Sequence, residues 1–320
     1  NPSKETSCRF KSGPGHHNKM EFSNYIKLFF GELGRRRYSS GFIFLSIFLI
    51  SIITAFNLKD DYKTTALLKY SEEDANNNLN TASPLGGIVS LGGINLNSGT
   101  TDPIDYSIEI IKSRDFLRNL LEFPNIRENL VASDYYDFNE QKIIYKSSIY
   151  DEDNAKWIRS QSKFKDVVPG YLEVHKDHYI KNLTLVKNRA TGFLSISFNH
   201  SSPYFAKDFL DLIINEVNRI VREDDQSNSE KKLDFLMERS SKTLNNEVKQ
   251  ALGQLIENEL KKIAYSSTKV DYMLEVIDPP YVSDKPEFPN RLLIIVLGMF
   301  VGLISVILNI HIPLYLRREM

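Results

Sequence analysis

Two long runs of uncharged apolar residues interrupt a chain that otherwise mixes polar and apolar positions. They cover Gly41–Phe56 and Leu292–Ile310. The first contains eleven Phe, Ile or Leu side chains, each of which favours bilayer insertion by roughly 0.3–0.6 kcal/mol. About 18 helical residues span roughly 27 Å, close to the hydrocarbon thickness of a membrane. The pattern predicts transmembrane helices at 39–57 and 291–311.

Two other interpretations of these runs are a buried core helix and, for the first run, a cleaved signal peptide. Both runs have the length of a membrane span and basic flanks, which disfavours a core helix. The residues after Phe56 begin with Asn57, Leu58 and Lys59 and offer no small-residue cleavage site. Two membrane spans therefore explain the pattern best.

The charges beside the runs predict their orientation. The flanking arginines are Arg35, Arg36, Arg37, Arg317 and Arg318. Asp60 and Asp61 follow the first run at its opposite end. Because arginine clusters stay on the cytoplasmic side, both termini are expected inside and the intervening domain outside. Arg291 is the one dissenting charge, and a lone arginine can extend its head group to the membrane surface.

The predicted organisation has five parts, in a protein of the bacterial inner membrane. They are a cytoplasmic segment at 1–38 (with 1–19 expected to be disordered or tag-derived), a helix at 39–57, a periplasmic domain at 58–290, a helix at 291–311 and a cytoplasmic tail at 312–320.

Within the central domain the apolar period changes between helix and strand. A strand is expected at Lys63–Tyr70, and alternating stretches in 181–198 predict either one strand or a hairpin that turns near Asn188. A helix is expected over Asp102–Leu121, and a further strand over Tyr272–Ile277. The domain is thus of the α+β class.

A helical period covers most of 204–264. Its first apolar positions are Phe205, Phe209, Leu212, Ile213, Val217, Ile220 and Val221. Two interpretations are equally supported: one continuous rod of roughly 90 Å, or two helices joined at the polar segment 224–229. A continuous rod would need partners for its apolar stripe, most simply copies of itself.

A proline-rich connector precedes the second apolar run. Four prolines fall within 11 residues and exclude helix and central strand, which predicts a stiff extended segment. They are Pro279, Pro280, Pro286 and Pro289. Inside the run, Gly298 and Gly302 are spaced to permit close contact with another helix, with lipid-facing glycine as the alternative.

Composition adds exclusions. The net charge of −1 argues against a general nucleic-acid binder, which would carry a basic excess. The chain has a single cysteine, Cys8, so the fold does not rest on an intramolecular disulfide.

No residue pattern points to an enzyme, a metal site or a cofactor. Gly87 and Gly92 have phosphate-loop spacing, but Gly93 stands where that loop needs lysine. His175 and His178 lack a third ligand nearby and are expected on the surface or in a loop. We therefore expect no catalytic, metal-binding or cofactor-binding residues.

The connector and the second run carry a resemblance to a known family. The segment Val276–Gly302, a strand ending in V-I-D-P-P followed by K-P-x-x-P-N-R and a helix with spaced glycines, resembles the Wzz-type chain-length determinants, or polysaccharide co-polymerases. Its best-defined residues are Lys285, Pro286, Pro289, Asn290 and Arg291. The segments Glu21–Arg37 and Ser202–Lys207 are also similar.

The resemblance implies an α/β base near the membrane, a long protruding helix and a ring-like homo-oligomer. It further implies a non-enzymatic role in setting the chain length of O-antigen, common antigen, capsule or exopolysaccharide. The implied partners are a Wzy-type polymerase, lipid-linked glycan, the membrane and further copies of the chain, with no nucleic acid and no cofactor.

Two other functions share this layout. One is an extracytoplasmic sensor with two membrane spans, which normally continues into a cytoplasmic output domain; the short sequence after the second run disfavours it. The other is a polysaccharide-export adaptor without chain-length control, which shares every sequence feature above.

Overall fold

The computed structural model describes residues 35, 37–71, 102–162 and 165–319, which belong to two units. Unit 1 contains the residues up to Leu58 and those from Asn290 onward, and unit 2 contains Lys59–Pro289. The candidate phosphate loop at Gly87–Gly92 lies outside the described residues.

The described residues of unit 1 form two antiparallel helices. Helix α1 covers Arg37–Asn57 and helix α8 covers Arg291–Glu319. Within them, Tyr38–Asn57 and Arg291–His311 are long and apolar enough to cross a membrane. Helix α8 begins after Asn290, whose side-chain Oδ1 accepts a hydrogen bond from the Leu293 amide at 3.2 Å.

Unit 2 mixes helices and strands, which confirms the α+β prediction. Its strands are β1 (Tyr62–Tyr70), β2 (Ser133–Asp137), β3 (Lys142–Tyr145), β4 (Tyr150–Asp151), β5 (Lys156–Trp157), β6 (Leu183–Lys187), β7 (Leu194–His200) and β8 (Leu274–Asp278). Its helices are α2 (Pro103–Lys112), α3 (Arg114–Leu120), α4 (Ile126–Ala132), α5 (Tyr171–Val174, continuing through His175–Tyr179 and Ile180–Asn182), α6 (Pro203–Lys242) and α7 (Asn246–Thr268).

Four antiparallel strands form the main sheet in the order β6-β7-β1-β8. Strand β1 is central, and every second residue from Tyr62 to Leu68 is buried, as its alternating sequence predicts. The β6–β7 turn confirms the hairpin near Asn188, whose Oδ1 accepts from the Ala190 amide at 2.9 Å. Gly192 closes this turn with φ +72°, a conformation that favours glycine.

The first half of α6 packs against this sheet. The predicted apolar positions Phe205, Phe209, Ile213, Val217 and Val221 are all buried. Ser202 begins the helix, because its Oγ accepts from the Phe205 amide at 3.2 Å and Pro203 occupies the first turn. The sequence period of this half is therefore confirmed.

The single helix expected at Asp102–Leu121 is wrong. Ser113 is extended (ψ 154°), ending α2 and capping α3 through a hydrogen bond from the Phe116 amide to its Oγ at 3.1 Å. Ser113 thus breaks the helix while the apolar period continues across it. The same residue, Ser113, therefore caps the end of α2 and the beginning of α3.

Of the two interpretations of 204–264, the continuous rod is wrong, and the two-helix interpretation is right in number but wrong in the position of the joint. The polar segment 224–229 is helical, and the chain turns instead at Thr243–Asn245, between α6 and α7. Asn245 caps α7, because its Oδ1 accepts from the Glu247 amide at 2.9 Å. The two helices fold back on each other as a helical hairpin.

Candidate functional site: helical hairpin, connector and membrane-segment helices

Ion pairs set the register of the helical hairpin. Lys262 of α7 binds Asp225 of α6 at 2.9 Å, and Lys232 lies 3.9 Å from Glu259. Asp225 also accepts a hydrogen bond from the Tyr272 hydroxyl at 2.9 Å. These partners help to explain why the polar segment 224–229 is helical: Asp225 pairs with Lys262 of the returning helix and with Tyr272 beyond it, and Asp224 accepts from Asn228 within α6.

Beyond the sheet, the helical hairpin presents apolar side chains to solvent. These exposed residues of the two helices, together called the hairpin patch, are distributed over more than one face and are Phe235, Met237, Leu244, Val248, Leu255 and Leu260. The antiparallel register places Phe235 and Leu255 at about the same level of the hairpin. Exposed apolar groups concentrated on one element are typical of a surface that meets another molecule.

Asn218 joins α6 to the last strand of the sheet. It is 3% exposed, and its Oδ1 accepts from the amides of Met273 at 2.8 Å and Leu274 at 2.7 Å. Its Nδ2 donates to the Leu274 carbonyl at 2.9 Å. One side chain therefore satisfies three backbone groups at the start of β8. Sequence reasoning missed this residue, since its partners lie 55 and 56 residues away.

The connector after β8 continues alongside β1. The Thr64 hydroxyl donates to the Tyr281 carbonyl at 3.1 Å, and the Asp61 amide donates to the Phe288 carbonyl at 2.8 Å. The first and last segments of unit 2 are thus held side by side. Burial raises the pKa of the Asp61 carboxyl above its usual value.

The motif residues of the connector occupy different environments. Pro280 and Pro289 are buried, whereas Pro279, Lys285 and Pro286 are exposed. The Lys285 carbonyl accepts from the Ser283 hydroxyl at 2.9 Å. The segment is extended, without helix or sheet strand, as its prolines predict.

In unit 1, the two spaced glycines face α1. A Cβ on Gly298 would overlap the Ser51 side chain, and one on Gly302 would come within 3.0 Å of the Phe44 ring. Ser51 also donates from Oγ to the Ile294 carbonyl at 2.8 Å. The absence of side chains at these two positions lets the helix backbones approach closely.

The topology arginines are only partly described. Arg37 begins α1, and Arg317 and Arg318 lie near the end of α8, whereas Arg36 is outside the described residues. The Arg291 guanidinium lies over the Phe56 ring, 5.6 Å from its centroid. The orientation that these charges predict stays a prediction.

A serine–histidine contact in unit 2 was not anticipated from the sequence. His200 Nε2 lies 3.0 Å from Ser133 Oγ and 2.9 Å from the Asn129 carbonyl, while its Nδ1 accepts from the Ser202 amide at 3.0 Å. Because Nδ1 accepts, the proton sits on Nε2, which then cannot take a proton from Ser133. Burial lowers the pKa of His200 to about 4. This geometry suits a structural histidine.

His175 and His178 lie in a helical turn and are half-buried, not in the expected surface loop. His175 Nε2 is 2.8 Å from the Lys112 carbonyl, and burial lowers the pKa of His178. Among the residues that the structure describes, no group of three His, Cys, Asp or Glu side chains could hold a metal ion.

A cleft of about 400 Å³ lies beside α3 and α6. Its charged wall is internally paired: Arg219 donates to Glu216 at 2.5 and 2.9 Å and to Glu223 at 2.6 Å. The pKa of Arg219 is raised by these hydrogen bonds. Among the lining residues Glu122 and Glu216 outnumber Arg219, so the cleft carries a net negative charge and does not suit an anionic ligand.

Comparisons with known proteins give two structural similarities. No family model and no curated protein matches the sequence. A full-length bacterial polysaccharide co-polymerase is similar at 12% identity, covering 90% of this chain and 97% of the other, with a TM-score of 0.36. A fragment of WzzB, a polysaccharide co-polymerase from Salmonella Typhimurium, is similar at 12% identity, covering 72% and 100%, with a TM-score of 0.27.

Proposed function

We propose that this chain regulates the chain length of a bacterial surface polysaccharide without being an enzyme. It would act as a homo-oligomer in the inner membrane together with a Wzy-type polymerase and lipid-linked glycan. The connector motif at Val276–Gly302 supports the polysaccharide role by its resemblance to co-polymerases. Self-assembly is supported mainly by the hairpin patch, a set of exposed apolar side chains on the helical hairpin.

The hairpin patch suits a second copy of the same chain. Burying a Phe or Leu side chain contributes about 1.5–3 kcal/mol, so a few such residues per copy offset part of the cost of association. A closed ring repeats one contact around its circumference, which multiplies this gain over all subunits. The regulator would then act by holding polymerase and growing glycan at a fixed arrangement around the ring.

Deletion of the gene tests the function. Surface glycan separated by gel electrophoresis should lose its modal length while polymer is still made and exported. An unchanged length distribution together with an unchanged amount of glycan would reject the proposal. Loss of exported glycan at normal length would favour the export adaptor instead.

A charge substitution tests the assembly. The double variant Phe235→Asp and Leu255→Asp places two carboxylates within the hairpin patch, and the particle mass in lipid nanodiscs should fall. The matched control, Ser241→Asp and Gln254→Asp, adds the same charge at exposed polar positions of the same hairpin and should keep the wild-type mass. A monomeric wild type, or an equal loss in both variants, would contradict the role given to the patch.

A further inference from the structure

A connected set of aromatic rings lies at the beginning of β1, apart from the features described above. Tyr62 contacts Phe138 with ring centroids 5.9 Å apart, Phe138 contacts Tyr136 at 5.0 Å, and Tyr136 contacts Tyr204 at 5.2 Å. We call these four residues the aromatic cluster. They come from β1, the β2–β3 hairpin and the first turn of α6, so three elements converge on it.

The outer part of the aromatic cluster is open to solvent. Phe138 is 55% exposed and Tyr204 is also exposed, whereas Tyr62 is buried beneath them. Tyr136 lies in β2 and Phe138 in the turn that follows it, and their rings meet edge to face. The exposed rings of Phe138 and Tyr204 belong to one chain of ring contacts, so they form a continuous aromatic surface rather than two isolated exposed residues.

Covalent connectivity limits how far this surface can be from the membrane segments. Tyr62 follows Asn57, the last residue of α1, by five residues, which reach at most about 18 Å. Phe288, itself 57% exposed, precedes Arg291 of α8 by three residues, which reach at most about 11 Å. The hydrogen bonds between Asp61 and Phe288 hold these two short tethers together.

We propose that the aromatic cluster, together with Phe288, inserts into the lipid–water interface of the leaflet that unit 2 faces. This rests on the membrane assignment made under the proposed function. Tyrosine suits an interface because its ring can lie among the acyl chains while its hydroxyl stays among the head groups, and phenylalanine adds apolar area.

The charges near the cluster indicate which lipids it meets. Acidic residues outnumber basic ones by five to three in the segments 59–63 and 134–142, which contain Lys59, Asp60, Asp61, Lys63, Asp134, Asp137, Glu140 and Lys142. Some of them are paired, as in the ion pairs Lys59–Asp134 and Lys142–Glu140. An acidic excess is repelled by an anionic surface, so the surface fits a zwitterionic one, such as phosphatidylethanolamine.

Spin labelling of the full chain tests the proposal. The single cysteine, Cys8, is replaced by serine, and a nitroxide is attached at Phe138→Cys or Tyr204→Cys in nanodiscs of phosphatidylethanolamine and phosphatidylcholine. We expect the ratio of oxygen to nickel-chelate accessibility to be several-fold higher than at Ser241→Cys, an exposed polar position outside the hairpin patch. That control lies 37 residues beyond Tyr204 on α6, roughly 56 Å along the helix.

Two label positions keep the test valid if one variant misfolds. A water-like ratio at both positions overturns the proposal, and so does low accessibility to both reagents, which would mean contact with another protein surface. A label at Ile53→Cys, exposed on α1, reports on the membrane assignment itself. Lipid exposure at 53 with water exposure at 138 rejects the cluster alone; water exposure at both rejects the membrane assignment as well.

Discussion

Asn218 offers a direct test of how the helical hairpin is tied to the sheet. Its side chain makes three hydrogen bonds to Met273 and Leu274, at the point where the chain enters β8 and then the connector. Strand β8 is at the edge of the sheet, with β1 as its neighbour on the other side. The substitution Asn218→Ala removes all three bonds without adding bulk.

The expected loss of stability follows from the groups left behind. Two amides and one carbonyl lose this partner, and an unpaired buried polar group costs about 1–3 kcal/mol. Water entering the vacated space recovers part of this, and alanine adds up to about 0.7 kcal/mol of helix propensity. We expect a net loss of about 3 kcal/mol, which lowers Tm by roughly 6–12 °C in a domain of this size.

Urea unfolding of the full chain in nanodiscs measures this loss. The only tryptophan, Trp157, is buried in unit 2 and reports its unfolding by fluorescence. The matched control is Asn228→Ala, an exposed asparagine of the same helix that bonds only within it, to Asp224. If Asn218→Ala unfolds within about 0.5 kcal/mol of this control, the bridging role is refuted.

Three further predictions concern other parts of the chain. Since the unfolded state takes up a proton near pH 6.5 and folded His200 only near pH 4, stability is full above pH 6.5 and falls by about 3 kcal/mol as the pH drops to 4. His200→Asn should remove that part of the pH dependence in urea unfolding. Gly298→Leu should weaken the pairing of α1 with α8 by about 1–3 kcal/mol in SDS-titration unfolding, because its side chain overlaps Ser51. Arg159→Met should cost about 2–3 kcal/mol in urea unfolding, because Glu173, 14% exposed, loses its two-pronged ion pair but keeps Lys165 at 3.6 Å.

Each of these has a control within the chain. Gly41→Leu adds the same bulk to α1 where a Cβ meets nothing within 4 Å, and it should leave helix pairing unchanged. Arg118→Met breaks an exposed ion pair with Asp115 and should cost less than about 1 kcal/mol. Equal effects in control and test variants would contradict the packing and burial arguments. For His200, a pH dependence identical in wild type and variant would do so.

The sequence predicted those parts of the fold that depend on local period. The alternation of β1, the turn at Asn188 and the buried stripe from Phe205 to Val221 all follow from spacing within one element. Such patterns indicate which face of an element is buried but not which element packs against it. The prediction of the buried face therefore does not depend on the order of the strands and helices in the fold.

The misses arise where a single polar side chain or a distant partner decides the structure. The turn after α6 is marked in the sequence by Arg239 and Lys242 near the helix end and by the cap at Asn245. The more polar segment 224–229 carries a stronger break signal, and that signal is misleading. That segment stays helical because of Lys262 and Tyr272, which are 37 and 47 residues from Asp225. Asn218 and His200 act in the same way, through partners that sequence spacing does not bring together.

The order of the strands also constrains how the chain can fold. Leu68 of β1 pairs with Leu194 and with Val276, so the two neighbours of the central strand lie 126 and 208 residues later in the sequence. Pairings this distant in sequence form slowly, and until they do both edges of an apolar strand remain open to wrong partners. The four-stranded sheet can be completed only after the chain has been synthesised almost as far as α8. Maturation of the domain is thereby coupled to insertion of the second apolar helix, and a chain interrupted before β8 is expected to aggregate rather than to accumulate as a smaller folded product.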